Sequence, residues 1–399
     1  MEERYLRKWQ PDTIPEHIEI FEGHLHPESL HQEGGSARFG SKVYIVGGSN
    51  GTIHHFEDTI HLDQKEAVMK NREVSLGGHV VTIYDMKDMT STFGPRYPYP
   101  ANHLSCAKAL DGVTMHCTGG FNQAGKGGNK SFSYHYALNT SKENGEWERK
   151  ADMPYRRGAH GCDFMVDNRM YCVGGGEAQW GPFKTELMIY DPASDKWDLG
   201  PPMSIPRDHL YEAVTAIKNG KELYVPGGKG QARKPPPGDT TRPPLVFMNT
   251  NVVEIYNLER NEWRRAANLL SERTAVAVVP YHRRGPDKEP NLLLIGGEKV
   301  YGFSGSADRM IDEYDVTNDL YYCLEELSWP CYGGGVGIHD GKLHVIGGAE
   351  WFGHAASRRV QVYDLEESQG PRQCFYEPFP VFDQWERTWN KIMPWKDFK

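Results

Sequence analysis

The feature that most limits what this chain can fold into is a short apolar strand ending in two glycines, repeated six times. It reads VYIVGG at Gly47 and Gly48, TMHCTGG at Gly119 and Gly120, MYCVGG at Gly174 and Gly175, LYVPGG at Gly227 and Gly228, LLLIGG at Gly296 and Gly297, and LHVIGG at Gly347 and Gly348. Successive first glycines lie 72, 55, 53, 69 and 51 residues apart, which suits a unit of several short strands with loops of unequal length. After each pair the chain returns in an alternating strand closed by tyrosine and a polar residue: VVTIYD, ELMIYD, VVEIYN, MIDEYD and VQVYD, with a weaker SFSYHYA in the second copy. A sheet this small cannot bury both faces alone, so the copies must stack on one another around a ring. An open ring would leave two strand edges unpaired.

Tyr190 is followed after seven residues by Trp197, and Tyr256 by Trp263, while Tyr136 reaches Trp147 after eleven; Tyr321 fills the place after Tyr314. Ten residues beyond each tryptophan stands an arginine: Arg157, Arg207 and Arg273. Glycine pair, tyrosine-acid turn, tryptophan and arginine together resemble the kelch repeat over roughly residues 30 to 380. The resemblance implies an all-β, six-bladed kelch-type β-propeller as a single domain over 30–381, with an N-terminal segment 1–29 and a C-terminal tail 382–399. Closure of the ring falls either to N-terminal sequence around Trp9 or to QCFYEPFPV at 373–381, and the C-terminal strand is the expectation.

A net charge of −9 and a pI near 6.0 argue against a general nucleic-acid binder. No apolar run approaches the ~20 residues of a membrane span, and the charged N-terminus has no signal-peptide core. Seven cysteines are an odd number. Cys106 and Cys117 fall on neighbouring strands, as do Cys162 and Cys172. Reduced core thiols and a cytoplasmic location are expected.

In each blade the loop after the glycine pair and the link into the next blade open on one face and rim one mouth of the central channel. Counting ten from Phe93 and from Tyr321 extends the arginine series to His103 and Cys331. The resulting ring, with Arg157, Arg207 and Arg273, is a receptor for carboxylate, phosphate or sulfate; alternatively the arginines pair with loop backbone. Glu177 and Glu350 stand three residues past the first glycine and Glu298 two past it, either neutralising the arginines or serving as acid–base groups. Phe121, Trp180, Tyr301, Trp351 and Phe352 on these loops suit stacking on a sugar, an aromatic ring or a peptide. In fold, and in bearing arginines and glutamates on this face, the chain resembles bacterial sialic acid mutarotases. The leading expectation is a module that binds an acidic segment of a partner protein. The alternative is an enzyme of mutarotase, isomerase or lyase type acting on a small anionic metabolite or sugar.

No metal and no other cofactor is expected. His103, His160 and His209 precede their glycine pairs by 16, 14 and 18 residues, and strands that begin at different heights do not bring three imidazoles onto one ion. The insertion HHFEDTIHLD (residues 54–63) contains Glu57 and His61, but lacks the aspartate that completes the Glu-x-x-x-Asp-x-x-x-His iron motif of kelch specifier proteins. No P-loop, nucleotide fingerprint or catalytic-serine motif is present.

Overall fold

The computed structural model describes residues 18–366 apart from 22–24, 26–31, 50–77, 123–129, 144, 179–180, 232–246, 284, 286, 302–303 and 351–355. All its regular elements are strands, and six antiparallel four-stranded sheets account for most of them. Blade three shows the pattern: Gly161–Phe164, Met170–Val173, Leu187–Asp191 and Lys196–Gly200 pair in sequence order. Met170–Val173, the strand that ends in the glycine pair, is buried throughout, whereas Lys196–Gly200 is mostly exposed. The continuous apolar run thus marks the strand covered on both faces, as sheet burial requires.

Innermost strands touch one another around the ring. Gly35–Phe39 lies against Ser105–Lys108, that strand against Gly161–Phe164, and Gly161–Phe164 against Thr215–Ile217; Ala277–Tyr281 lies against Gly335–His339, which returns to Gly35–Phe39. Between Thr215–Ile217 and Ala277–Tyr281 the step is bridged by the Val278 amide, which donates to Glu212 O at 3.0 Å. Six apolar clusters fill the six interfaces, each drawn from two neighbouring blades. One of them packs Val43 and Tyr84 of blade one against Ile346 and Val360 of blade six, so the ring is shut.

The shutting strand differs from the expected one. Ile18–Phe21 pairs antiparallel with Val360–Asp364 and completes blade six with N-terminal sequence. Ile18 is buried and Glu19 exposed, the alternation of an outer strand, so IEIF carried the signal that the search for a tryptophan missed. Trp9 and residues 373–381 lie outside the described residues.

The tryptophans and tyrosines latch blade to blade. The indoles of Trp147, Trp197 and Trp263 donate to carbonyls of the preceding blade, at Pro95 (2.9 Å), Ala151 (2.8 Å) and Pro201 (2.7 Å). The Tyr190 hydroxyl donates to Asp195 (2.7 Å), and the same carboxylate accepts the Ala151 amide (2.9 Å).

The expected reduced thiols are disulfides. Cys106–Cys117 and Cys162–Cys172 join directly opposed residues on the inner two strands of blades two and three, with Cα atoms 4.1 Å apart in each. Cys323 is disulfide-bonded as well, and Cys331 is a buried free thiol. Direct cross-strand opposition puts the sulfurs within bonding reach, which counting residues between cysteines does not reveal. Among the described residues no helix is long and apolar enough to cross a membrane.

Candidate functional site at the channel mouth

The arginines come first, because they were expected to form the site. Arg157, Arg207 and Arg273 are among the most buried side chains of the chain. Arg157 pairs with Glu186 at 2.9 Å, Arg207 with Glu254 at 3.2 Å, and Arg273 with Asp312. Arg207 also donates to the carbonyls of Gly227 (2.8 Å), Val252 (2.6 Å) and Val225 (3.1 Å). Their own carbonyls accept the amides of Gly120, Gly175 and Gly228, the second glycines of the preceding blades. The first glycines are as constrained: at Gly119, φ is +61° and a Cβ would stand 2.2 Å from Arg157 O. The arginines are therefore rivets between blades, and their guanidiniums face carboxylates and carbonyls of the protein itself. The same docking in the neighbouring blades is made by Ala101, whose carbonyl accepts Gly48 N–H, and by Cys331, which accepts Gly297 N–H. Ala101, rather than His103, is thus the blade-one member of the series; counting from Phe93 overshot by two residues.

Two residues past each of these positions the link reaches the channel. Glu33, His103, Ala159, His209, Ala275 and Gly333 all have left-handed backbone, with φ of 60°, 53°, 58°, 57°, 50° and 59°. Consecutive links are hydrogen-bonded: His103 N–H to Glu33 O, Ala159 N–H to His103 O, Leu210 N–H to Ala159 O, Ala275 N–H to His209 O, and Glu33 N–H to Gly333 O. These residues form a quasi-six-fold ring around the axis. Three of its members carry small side chains, and the other three converge. His103 Nε2 lies 3.0 Å from Glu33 Oε1, and His209 Nε2 lies 3.8 Å from the same oxygen. The two imidazole rings are 4.8 Å apart, edge to face. His160 falls one residue later and turns into the blade interface, where its Nε2 meets the Thr118 hydroxyl at 2.8 Å. Two of the three histidines do meet, because the level of the links, rather than the length of the strands, decides convergence.

A second sheet brings in further charge. Arg207–Asp208, Lys229–Gln231, Phe247–Asn249, Glu298–Tyr301 and Ser304–Ala307 form five strands built from links and loops of blades four and five. Asp208 and Lys229 are cross-strand partners in it, with Lys229 Nζ 3.8 Å from Asp208 Oδ1 and 3.4 Å from His209 Nε2. Asp208 Oδ1 is also 2.9 Å from His209 Nδ1. Burial pushes the Asp208 carboxyl up to about 7 against the pull of Lys229, and pushes Glu298 up to about 8 with help from Glu33. Burial, then Lys229 and His103, hold the His209 imidazole well below its ordinary value. The mouth thus holds carboxyl groups that ionise near neutrality beside a neutral imidazole and an ammonium, an arrangement fit to give and take protons.

The three glutamates separate by parity. Lys229 and Glu298, two residues past the first glycine, face the cluster, and Glu298 is only 5% exposed. Glu177 and Glu350, three residues past it, face away: Glu177 pairs with Lys184 at 2.6 Å, and Glu350 binds Arg359 and the Ser357 hydroxyl. In extended chain a shift of one residue moves the side chain to the other face. Tyr301 ends the strand Glu298–Tyr301, and Phe121 is fully buried against His103 rather than offered for stacking. Trp180, Trp351, Phe352 and the His54–Asp63 insertion lie outside the described residues. Sequence reasoning missed Glu33, Asp208 and Lys229. The signal was available as two positional rules, two past the arginine position and two past the first glycine. Elsewhere, a polar cleft of about 590 Å3 opens between blades two and three beside His116.

A closed ring of six four-stranded sheets, riveted by arginine on glycine pairs, defines a β-propeller, and the comparisons give its kind. A Kelch motif model matches residues 164–204, which is blade three. Beta-scruin of Limulus polyphemus is 30% identical over 301 residues, 73% of this chain and 30% of its own length. Kelch repeat and BTB domain-containing protein 12 of Homo sapiens is 31% identical over 156 residues, 34% of this chain and 21% of its own. The chain therefore spans less than a third of the length of these two relatives. The solved structure of YjhT superposes with a TM-score of 0.59 at 15% identity, covering 85% of this chain and 96% of that one. The chain belongs to the kelch-repeat family.

Proposed function

We propose that this kelch propeller binds a small polar or anionic ligand at the channel mouth and acts on it by proton transfer, in the manner of an isomerase, mutarotase or lyase. One observation carries the reading. The left-handed backbone of Glu33, His103 and His209 is built at equivalent positions with Ala159, Ala275 and Gly333, so this conformation does not itself call for ionisable side chains. Burying such groups costs stability, and their concentration at one mouth marks a site rather than a scaffold. Lys229 would hold the anion, with Asp208 and Glu298 exchanging protons. The residues expected for this role from sequence, Arg157, Arg207, Arg273, Glu177 and Glu350, are replaced in it by this set.

Docking of a partner protein is the second reading, favoured by sequence similarity to Kelch-like proteins. With the arginines engaged inside the blades, an acidic segment has no guanidinium ring to meet. A cytoplasmic location loses support from the disulfides, which favour an oxidising compartment. The test is a thermal-shift screen of small carboxylates, sugars and sugar acids, run on the wild type and on Lys229→Met. Stabilisation of the wild type alone, followed by NMR showing solvent-deuterium incorporation into the hit or, for a sugar, accelerated exchange between its anomers, is the expected result. Hits that bind Lys229→Met equally well, or a screen without hits, would return the protein to the docking reading.

A further inference from the structure

We propose that Glu33, His103 and His209 form a site for one divalent transition-metal ion, of the zinc, iron(II) or manganese(II) class, on the channel axis. Their three ligand atoms all lie within 4.8 Å of one another, and all three residues are buried. An ion with bonds of about 2.0 to 2.2 Å needs donors about 3.0 to 3.6 Å apart, and the observed 3.0 and 3.8 Å bracket that span. Ala159 and Ala275 pack beside them in an apolar cluster with Phe121, Tyr211 and Tyr332, so the ring itself offers these three donors on an otherwise apolar bed.

The orientation of the imidazoles points the same way. His103 Nδ1 lies 2.7 Å from Asn102 Oδ1, and His209 Nδ1 lies 2.9 Å from Asp208 Oδ1. The Asn102 oxygen keeps the proton on His103 Nδ1 and leaves the Nε2 lone pair aimed at Glu33, while His209 Nε2 accepts from the Lys229 ammonium and so carries its proton on Nδ1, close to Asp208 but outside hydrogen-bond geometry. An acceptor on the outer nitrogen prepares a histidine for a metal in this way, by fixing its tautomer and ring orientation. His103 Nε2 is fully buried and has no hydrogen-bond partner. Two lone-pair atoms, one of them on a carboxylate, face each other at 3.0 Å, and a cation between them resolves the conflict. Lys229 Nζ stands on the same His209 nitrogen at 3.4 Å, so it competes with the ion and moves onto Asp208 when the ion enters.

The inference deepens the proposed ligand site, since an ion there offers a ligand open coordination positions, but its test needs no substrate, so either reading can fail alone. The full chain, made without a polyhistidine tag, is stripped with chelator and titrated with Zn2+, Mn2+ and Co2+ by calorimetry, with Co2+ absorption as a spectroscopic check. The expected result is one ion per chain and a Co2+ visible band. His103→Ala and His209→Ala should each lose at least 100-fold in affinity, Asp208→Asn about 10- to 100-fold, and Lys229→Met should bind more tightly. Because the alanine variants can fail to fold, Glu33→Gln and Asp208→Asn carry the argument if they do. A folded wild-type chain that takes up no ion overturns the proposal. So does an ion whose affinity is unchanged in Glu33→Gln and Asp208→Asn.

Discussion

Replacing Arg207 with alanine separates a rivet from a receptor. The guanidinium is fully buried, its partner Glu254 is 2% exposed in its side chain, and three backbone carbonyls share its remaining protons. Removing it strands a buried carboxylate, a loss of about 3–5 kcal/mol, and the abandoned carbonyls press toward the upper end. For a chain of this size the unfolding entropy is roughly 0.8 kcal/mol/K, so the melting temperature should drop by about 5 °C. Lys184→Ala is the control: it breaks a partly exposed pair with Glu177 and should cost less than about 1 kcal/mol. Glu254→Gln added to Arg207→Ala should recover part of the loss, because the stranded charge is gone. Urea unfolding followed by tryptophan fluorescence reads all three. An Arg207→Ala chain as stable as the wild type, but with lost binding of an anionic ligand, would refute the rivet and restore the receptor.

Gly119→Ala should unfold or strongly destabilise blade two, since its Cβ would stand 2.2 Å from Arg157 O at φ +61°; circular dichroism melts measure this, and a loss below about 1 kcal/mol would contradict the docking. His116 and His135 are paired at 2.9 Å, and burial lowers His116 to about 4 and His135 well below its ordinary value. The unfolded chain therefore takes these protons first, so stability is complete above about pH 6.5 and falls as the pH drops toward 4, by about 3 kcal/mol for His116. His116→Phe, packed against Phe164 and Tyr190, should flatten that part of the profile, and an unchanged slope would place the titration elsewhere. Each of the disulfides Cys106–Cys117 and Cys162–Cys172 closes a short loop, worth about 3 kcal/mol by chain entropy. Thiol counting on the denatured, unreduced chain should find these four cysteines unreactive, and four reactive thiols there would reinstate the reduced reading.

The repeated strand and glycine pair determine the number of blades, the buried second strands and the tyrosine and tryptophan latches, because these depend on neighbours within one repeat or the next. Arg157, Arg207 and Arg273 were legible as a series for the same reason, but their direction was not. A guanidinium that reaches carbonyls of its own blade and one that reaches a ligand have the same spacing in sequence. The glutamates show the limit most sharply: Glu298 and Glu177 differ by one residue in their distance from the first glycine, and that step puts them on opposite faces. Closure by Ile18–Phe21 and the meeting of Glu33 with His103 and His209 join segments separated by loops of unequal length. Only the ring sets their relative level, since the links are joined in series by hydrogen bonds between blades, and no count along a single repeat contains that constraint.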